Sequence, residues 1–416
     1  MNILWLKAGG FVPADTGGKL RSFHMASELA QRHSVTLFTF YSEHPNDQHQ
    51  KLHEPFADVI ALPLRLPGRR SLREIARYAM LLFTGQPYTM RKYYVPELHR
   101  RIGSVLAERR FDAIICDFIY PAGLLDWRLP CPKILFTHNV EARPWERLYR
   151  VTSNWLWKAA AFVEFKTLTR AERTYVRLAD HVLTVSEVDR QFFAQYVPAE
   201  RITALPTGVD IDFHTPVPGE ELDGAIVFTG SMDWMPNEDG MEWFLKEVFP
   251  IILQKAPDAV LWVVGRNPSE RLQALALSNR NVRITGWVDD IRPYIRRGSV
   301  YVVPLRSGSG TRLKIFEAMA TGKAIVSTTL GAEGLPVENG TDIVLADDAE
   351  TFARETVELL RDGNRRRALG LAARQRVAER HGWAAVTEKL ESVLLDFQHH
   401  PDRELAAAAG PARAEQ

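Results

Sequence analysis

Three segments of this 416-residue chain combine residue types and spacings that can do chemistry. The fullest runs Leu305-Arg306-Ser307-Gly308-Ser309-Gly310-Thr311-Arg312-Leu313-Lys314-Ile315-Phe316-Glu317-Ala318-Met319-Ala320-Thr321-Gly322-Lys323-Ala324-Ile325-Val326. A Gly/Ser loop there opens a helix whose first turn carries Arg312 and Lys314, so backbone N–H groups, the positive end of the helix dipole and two cations converge on one point. That combination suits a diphosphate. Glu317 follows on the same helix, and its carboxylate can accept a pair of hydrogen bonds from the two hydroxyls of a ribose. The competing reading is a Gly-rich loop before a helix whose charges are only solvated.

The second segment is Thr137-His138-Asn139-Val140-Glu141, directly after an apolar strand pattern at Lys133–Phe136. A strand's carboxyl end is where parallel sheets bind ligands, so His138 there can hydrogen-bond a substrate or donate a proton. Asn139 and Glu141 then orient it or contact an acceptor. A lone histidine is also commonly structural. The third segment is Asp15-Thr16-Gly17-Gly18-Lys19, where two glycines let N–H groups approach a phosphate at a helix N-terminus. It has neither the P-loop nor the Gly-x-Gly-x-x-Gly spacing, and a simple turn explains it equally well.

The elements that must hold these segments alternate between short apolar runs and longer helical patterns, the signature of βαβ units with a parallel sheet. Strands are expected at 2–6, 34–40, 57–62, 113–117, 133–137, 181–186 and 202–205, with helices at 17–32, 96–109, 155–179 and 187–195. A Pro/Gly/Asp-rich stretch, Pro206 to Glu220, reads as a linker. The alternation then restarts with strands at 225–229, 259–264, 282–285, 300–304, 324–327 and 343–346. Helices between and after them fall at 239–255, 269–277, 291–296, 311–320, 349–362, 365–380 and 383–397. The pattern predicts an α/β protein of two doubly wound, Rossmann-like domains facing a central cleft. The expected division is 1–207 for an N-terminal Rossmann-like domain, 208–380 for a C-terminal one, 381–398 for a terminal helix and 399–416 for a disordered tail.

Bulk properties bound the class. The composition, 46% hydrophobic and 25% charged, is that of a globular protein with a sizeable core. No apolar run is long enough to span a bilayer, and the start, Met1-Asn2-Ile3-Leu4-Trp5-Leu6-Lys7, enters a strand pattern without a basic leader, so a cytoplasmic location is expected. Cys116 and Cys131 are the only cysteines, and both read as core residues, with no metal-ligand spacing. Lys and Arg exceed Asp and Glu by 27 to 20 in residues 1–200 and trail by 25 to 31 in the remainder. Much of the excess lies in 65–92, where seven basic residues interleave with apolar ones. Such a stretch suits peripheral contact with the inner membrane surface, or an ordinary solvated helix. Nothing in the charge pattern asks for nucleic acid.

Taken in order along nearly the whole chain, these residues resemble the retaining glycosyltransferases of the GT-B fold, in particular glycosyltransferase family 4, the glycosyl transferases group 1. The resemblance is carried by Gly17-Gly18, the Thr-His-Asn-Val-Glu segment, Pro206-Thr207-Gly208-Val209-Asp210, Phe228-Thr229-Gly230-Ser231 and Val263-Val264-Gly265. Gly286-Trp287-Val288 and the signature from Glu317 to Val326 complete it. It implies a nucleotide-sugar donor, UDP- or GDP-linked, and a glycan or lipid-linked acceptor in cell-surface or exopolysaccharide synthesis; no cofactor is expected, and no metal, because Arg312, Lys314 and a helix N-terminus can hold the diphosphate charge. It implies that Glu317 holds the ribose, that Gly265, Gly286, Trp287 and Val288 line the base, and that Gly17, Gly18, Gly230 and Ser231 face the diphosphate. His138 would contact the transferred sugar, whose configuration would be retained, and the terminal helix would cross back onto the first domain. Two departures stand out. The family often has Glu-x7-Glu, but Ser309 occupies the position eight before Glu317, leaving the sugar to Ser309, Gly310 and Thr311. The Arg and Lys often found after the first strand of the second domain are also missing from Gly230 to Asn237, so neutralisation falls to Arg312 and Lys314, with Arg266 a weaker candidate. A nucleotide-sugar epimerase, a phosphorylase, a NAD-dependent oxidoreductase and an inactive sugar-binding homologue are the rivals. The oxidoreductase lacks its glycine fingerprint.

Overall fold

The computed structural model describes residues 1–12, 16–41, 52–64, 85–152, 154–307 and 313–400. Contacts divide the chain into two compact units, Met1–Pro206 with Val386–Gln416, and Thr207–Ala385.

In the first unit, β1 (Asn2–Ala8), β2 (Ser34–Tyr41), β3 (Asp58–Pro63), β4 (Ala113–Asp117), β5 (Lys133–Phe136), β6 (His181–Thr184) and β7 (Ile202–Ala204) form one sheet in the order β3-β2-β1-β4-β5-β6-β7. Each pairing is parallel. Parallel strands are covered on both faces, so they read as unbroken apolar runs, and Ile3, Leu4, Trp5 and Leu6 of β1 are all fully buried. The strand order reverses between β1 and β4, which opens a crevice at their carboxyl ends. Helix α1 (Gly17–Ala30) enters that crevice from β1, its N-terminus capped by the Thr16 hydroxyl accepting from Lys19 N. After β5 come α2 (Ala142–Val151) and α3 (Trp155–Leu178), packed as a hairpin.

In the second unit, β8 (Ala225–Thr229), β9 (Val260–Val264), β10 (Val282–Gly286), β11 (Val300–Val303), β12 (Ala324–Ser327) and β13 (Val344–Leu345) form a parallel sheet in the order β10-β9-β8-β11-β12-β13. The order again reverses, here between β8 and β11. Helix α4 (Met235–Trp243) follows β8 and α5 (Leu313–Ala320) follows β11. Helix α6 (Trp383–His399) ends the described chain, and in the first unit its Glu391 pairs with Arg32 and His33, each at 2.7 Å. Both units are thus parallel, Rossmann-like α/β sheets.

Some elements differ from expectation. The single helix expected at 239–255 is α4, a π-turn at Phe244–Val248 and a short helix at Phe249–Lys255. Pro250 has no N–H to give to the helical ladder, and a π-turn absorbs that break. Helix α4 begins earlier than expected because Pro236 suits the first helical turn. Helix α2 is unforeseen. The expected helix at 311–320 is described from Leu313 onward. Cys116 is buried and Cys131 partly buried, both as free thiols. Residues 65–84 of the basic stretch and the 401–416 part of the expected tail lie outside the described residues.

Candidate functional site

At the first crevice, Asp117, the last residue of β4, is fully buried and gathers three neighbours. Trp5 Nε1 donates to its Oδ2 at 2.8 Å, Lys7 Nζ lies 3.2 Å from Oδ2, and His138 Nε2 bonds Oδ1 at 2.8 Å. Burial would raise the Asp117 carboxyl, but Lys7 and then His138 outweigh it and hold the group well below the usual carboxylate range. Burial pushes Lys7 down against the pull of Asp117. It also pushes His138 down from 6.5 to about 4, so the imidazole is neutral at pH 7.

An ionised Asp117 only accepts, so the His138 proton sits on Nε2 and Nδ1 is left as a lone-pair acceptor. Nδ1 is buried without a protein partner. This corrects one expectation: the only proton of His138 is held by Asp117, so the imidazole does not suit a proton donor and its Nδ1 can only accept. Phe118 stacks on the imidazole at 3.9 Å between ring centroids and 8° between planes. Lys7 Nζ lies 4.4 Å over the same Phe118 ring. Phe118 holds φ at 67°, a backbone region costly for a bulky residue, which fits a ring aimed by its surroundings. Gly18 in α1 lies beside this stack, and a Cβ there would come within 2.9 Å of the Phe118 ring. Thus Gly18 and His138 are brought together in the first unit, with Gly17 next to them at the start of α1.

Beside His138 a pocket with room for one water-sized group is lined by Thr137, Asn139, Glu141, Glu172 and Phe118. Tyr120 Oη donates to Glu141 Oε2 at 2.5 Å, and Glu141 N donates to Glu172 Oε1 at 2.5 Å. Burial raises both carboxyls, Glu172 to about 8, although the Glu141 N–H donating to Glu172 opposes that shift. One oxygen of each, Glu141 Oε1 and Glu172 Oε2, is buried without a protein partner. Asn139 is exposed.

At the second crevice, Lys314 Nζ donates to Asn237 Oδ1 at 2.7 Å and lies 4.1 Å over the Phe228 ring. Glu317, one turn on in α5, is partly buried, and desolvation raises its carboxyl from 4.5 to about 7 although Lys314 opposes the shift. Gly230, after β8, faces this pair: a Cβ there would meet Asn237 and Lys314 Nζ, each at 2.7 Å. Gly265, after β9, packs on the Gly230 backbone, and its N donates to the Gly286 carbonyl at 3.2 Å. Ser231 and Arg266 meet elsewhere. Arg266 Nε donates to Ser231 Oγ at 2.8 Å and pairs with Asp233 at 3.7 Å, so that cation is already engaged at the surface. Trp287 is largely exposed beyond β10, and Val288 packs against the core. Ser309, Gly310, Thr311 and Arg312 lie outside the described residues. The acidic Asp210 and Asp212 form no cluster with a third ligand; Asp210 caps Asp212 N and Phe213 N as a turn residue. Among the described residues no group of three His, Cys, Asp or Glu is arranged to hold a metal ion.

The close approach at Gly265 carries a prediction. A Cβ there would lie 1.8 Å from the Gly230 carbonyl oxygen, so backbone must shift. Gly265→Ala is expected to destabilise by about 1–3 kcal/mol, read as a lower urea midpoint. Gly103→Ala, in a helix with no atom within 4 Å of the new methyl, is the control and should not destabilise.

Sequence reasoning does not single out Lys7, Asp117, Phe118, Glu172 or Asn237. A charged residue ending an apolar strand was a usable signal for Lys7 and Asp117. Asn237 and Glu172 reach their partners only through folding, from 77 and 31 residues away.

Comparison with known proteins gives consistent findings. Residues 17–213 match the family described as Glycosyltransferase Family 4, and residues 223–362 match the one described as Glycosyl transferases group 1. An uncharacterized 44.6 kDa protein in the cps region of Klebsiella pneumoniae is 25% identical over 359 residues, 83% of this chain and 87% of that one. A phosphatidyl-myo-inositol mannosyltransferase of Mycolicibacterium smegmatis is 28% identical over 221 residues, 51% of this chain and 56% of that one, so the match spans about half of it. Among solved structures, Anabaena HepE in complex with UDP and glucose superposes with a TM-score of 0.60 at 14% identity, covering 95% of this chain and all of that one.

Proposed function

We propose, from the premise that this chain belongs to the GT-B glycosyltransferases of the group 1, family-4-like type, that it moves a sugar from a nucleotide-diphosphate-sugar to a hydroxyl acceptor with retention of configuration. One observation carries the donor assignment: at the β8/β11 crevice an ammonium held by Asn237 and a desolvated carboxyl sit one turn apart on α5, where glycines bring backbone close. Lys314 takes the diphosphate and Glu317 takes the ribose hydroxyls. Gly286, Trp287 and Val288 serve the base, and Ser309, Gly310, Thr311 and Arg312 serve the sugar and diphosphate.

In this proposal the bond from the anomeric carbon to the phosphate oxygen breaks as the acceptor oxygen bonds the same face. The acceptor's proton then passes to the departing phosphate oxygen, the nearest base on that face. Lys314 and Arg312 meet the charge that develops there, the role a metal plays in other transferases. His138 Nδ1 accepts from a hydroxyl of the transferred sugar, and Asn139 and Glu141, with Glu172 behind Glu141, bind the acceptor. The HepE structure, solved with UDP and glucose, supports a donor of UDP- or GDP-sugar type, and the mannosyltransferase and cps-region relatives support a role in cell-surface glycan synthesis on a glycan or lipid-linked acceptor.

The Glu317 carboxyl supplies the test. Without ligand it is half protonated near pH 7, and hydroxyls donating to it favour the ionised form. Donor affinity is therefore expected to rise as pH increases from 6 to 8, with proton release on binding near pH 7, measured by calorimetry in buffers of different ionisation enthalpy. Glu317→Gln should bind about 10–100-fold more weakly and without that pH slope, from the loss of hydrogen bonds to a charged group. Screening UDP-, GDP- and ADP-sugars by thermal stabilisation identifies the donor. Stabilisation by none of them, or a pH slope that survives in Glu317→Gln, overturns the assignment. Binding without transfer to any hydroxyl acceptor supports an inactive, sugar-binding homologue instead.

A further inference from the structure

The α2/α3 hairpin has an apolar, basic tip that the transfer site does not use. Asn154 caps α3, its Oδ1 accepting from Leu156 N and Trp157 N at 3.1 and 3.2 Å, which orders the first turn. Successive helical residues point about 100° apart, so three consecutive apolar side chains cannot all turn toward a core. Here none does: Trp155, Leu156 and Trp157 are 73%, 59% and 58% exposed. Phe162, one turn further along, and Leu148 on α2 extend the patch. The Tyr149 and Phe162 rings meet at 5.2 Å and tie the two helices together beneath it. Large apolar side chains exposed together on one helical turn mark an interaction site.

Its charge identifies the partner. Residues 142–162 carry Arg143, Arg147, Arg150 and Lys158 against one acidic side chain, Glu146, which Arg150 already pairs at 2.5 Å. Lys158 and Lys166 lie over the Tyr149 and Phe162 rings, both at 5.6 Å, with their stems along the aromatic surface. The next acidic groups along α3, Glu164 and Glu172, are buried and turned inward, Glu164 accepting from Tyr88 N and Thr89 N. The tip thus offers two tryptophans and a leucine on a hairpin whose nearby charges, Arg147, Arg150 and Lys158 against Glu146, are mostly positive. Tryptophan favours the headgroup level of a bilayer, and lysine and arginine favour anionic phosphates there. We propose that the α2/α3 tip docks this protein on an anionic lipid surface, with Trp155, Leu156 and Trp157 entering the headgroup region. Among the described residues no helix is long and apolar enough to cross a membrane, so the contact is peripheral. The residues of this tip are other than those of the basic stretch at 65–92, and the proposal does not rest on the sugar-transfer reading.

The test is flotation of the full chain with vesicles of phosphatidylcholine alone or mixed with phosphatidylglycerol. Wild type is expected to float with the mixed vesicles, to bind the neutral ones weakly and to be released by high salt. Changing Trp155, Leu156 and Trp157 to Ser together should weaken binding about tenfold or more through lost apolar burial, with the melting temperature kept because all three are exposed. Arg147→Glu with Lys158→Glu should weaken it through charge alone. The proposal is overturned if the triple variant floats like wild type, or if wild type binds neither vesicle. It is also overturned if the patch instead holds a second copy of the chain, seen as a wild-type dimer that the triple variant loses with no vesicle binding in either.

Discussion

Lys314→Ala is expected to lower kcat for sugar transfer about 10²–10³-fold, the effect of removing one preorganised group that stabilises charge developing in the transition state. The lysine suits that role because groups from two other elements fix its position. Asn237 Oδ1 accepts from Nζ at 2.7 Å, and the Phe228 ring face lies 4.1 Å beneath it. Glu317, one turn away on the same helix, is held toward its neutral form by desolvation, against the pull of Lys314. Since charge on the diphosphate grows as the glycosidic bond breaks, the loss should appear in kcat more than in KM. Lys314→Arg should recover part of it by keeping the charge. Steady-state kinetics with the donor found by thermal screening measures this, and wild-type kcat in Lys314→Ala would sink the assignment. Arg312→Ala should act in the same direction.

The second large effect falls on stability. Asp117→Ala is expected to cost about 3–5 kcal/mol, because it leaves the buried Lys7 ammonium without its counter-ion and strips hydrogen bonds from His138 and Trp5. Urea unfolding of the variant against wild type at pH 7 is the measurement, and an unchanged midpoint would refute the reading of Asp117 as the organiser of this crevice. The same group predicts how stability follows pH. Both Asp117 and His138 have folded-state values held below their unfolded ones, so the unfolded chain binds more protons as pH falls. The His138 contribution is complete above about 6.5 and is lost as pH falls toward about 4. That of Asp117 is lost below the usual carboxylate range. Wild-type midpoints should therefore decline as pH falls from 6.5 to 4.

The two sheets were legible from residue order, because a parallel strand buried on both faces must be an apolar run and its crossover helix must be longer. The strands at 2–6, 113–117, 225–229 and 324–327 each lie where the pattern put them, to within a residue or two. Glu317 and Lys314 were legible for a local reason: they sit one turn apart on one helix after a glycine-rich loop, and helical geometry alone brings them together. His138 was legible as a position at a strand's end.

Its chemistry was not. Whether an imidazole accepts or donates depends on what holds its other nitrogen, and Asp117 arrives from the neighbouring strand, 21 residues away. The same holds for Asn237 beneath Lys314, for Glu172 behind Glu141, and for Arg266, whose charge is spent on Asp233 at the surface. The exposed Trp155-Leu156-Trp157 turn is a related case, since a helical apolar run ordinarily means core. Spacing along the chain specified which elements form and which residues share one of them. Protonation, pairing and exposure depend on groups from different elements, and only the packed fold brings those within a few ångströms.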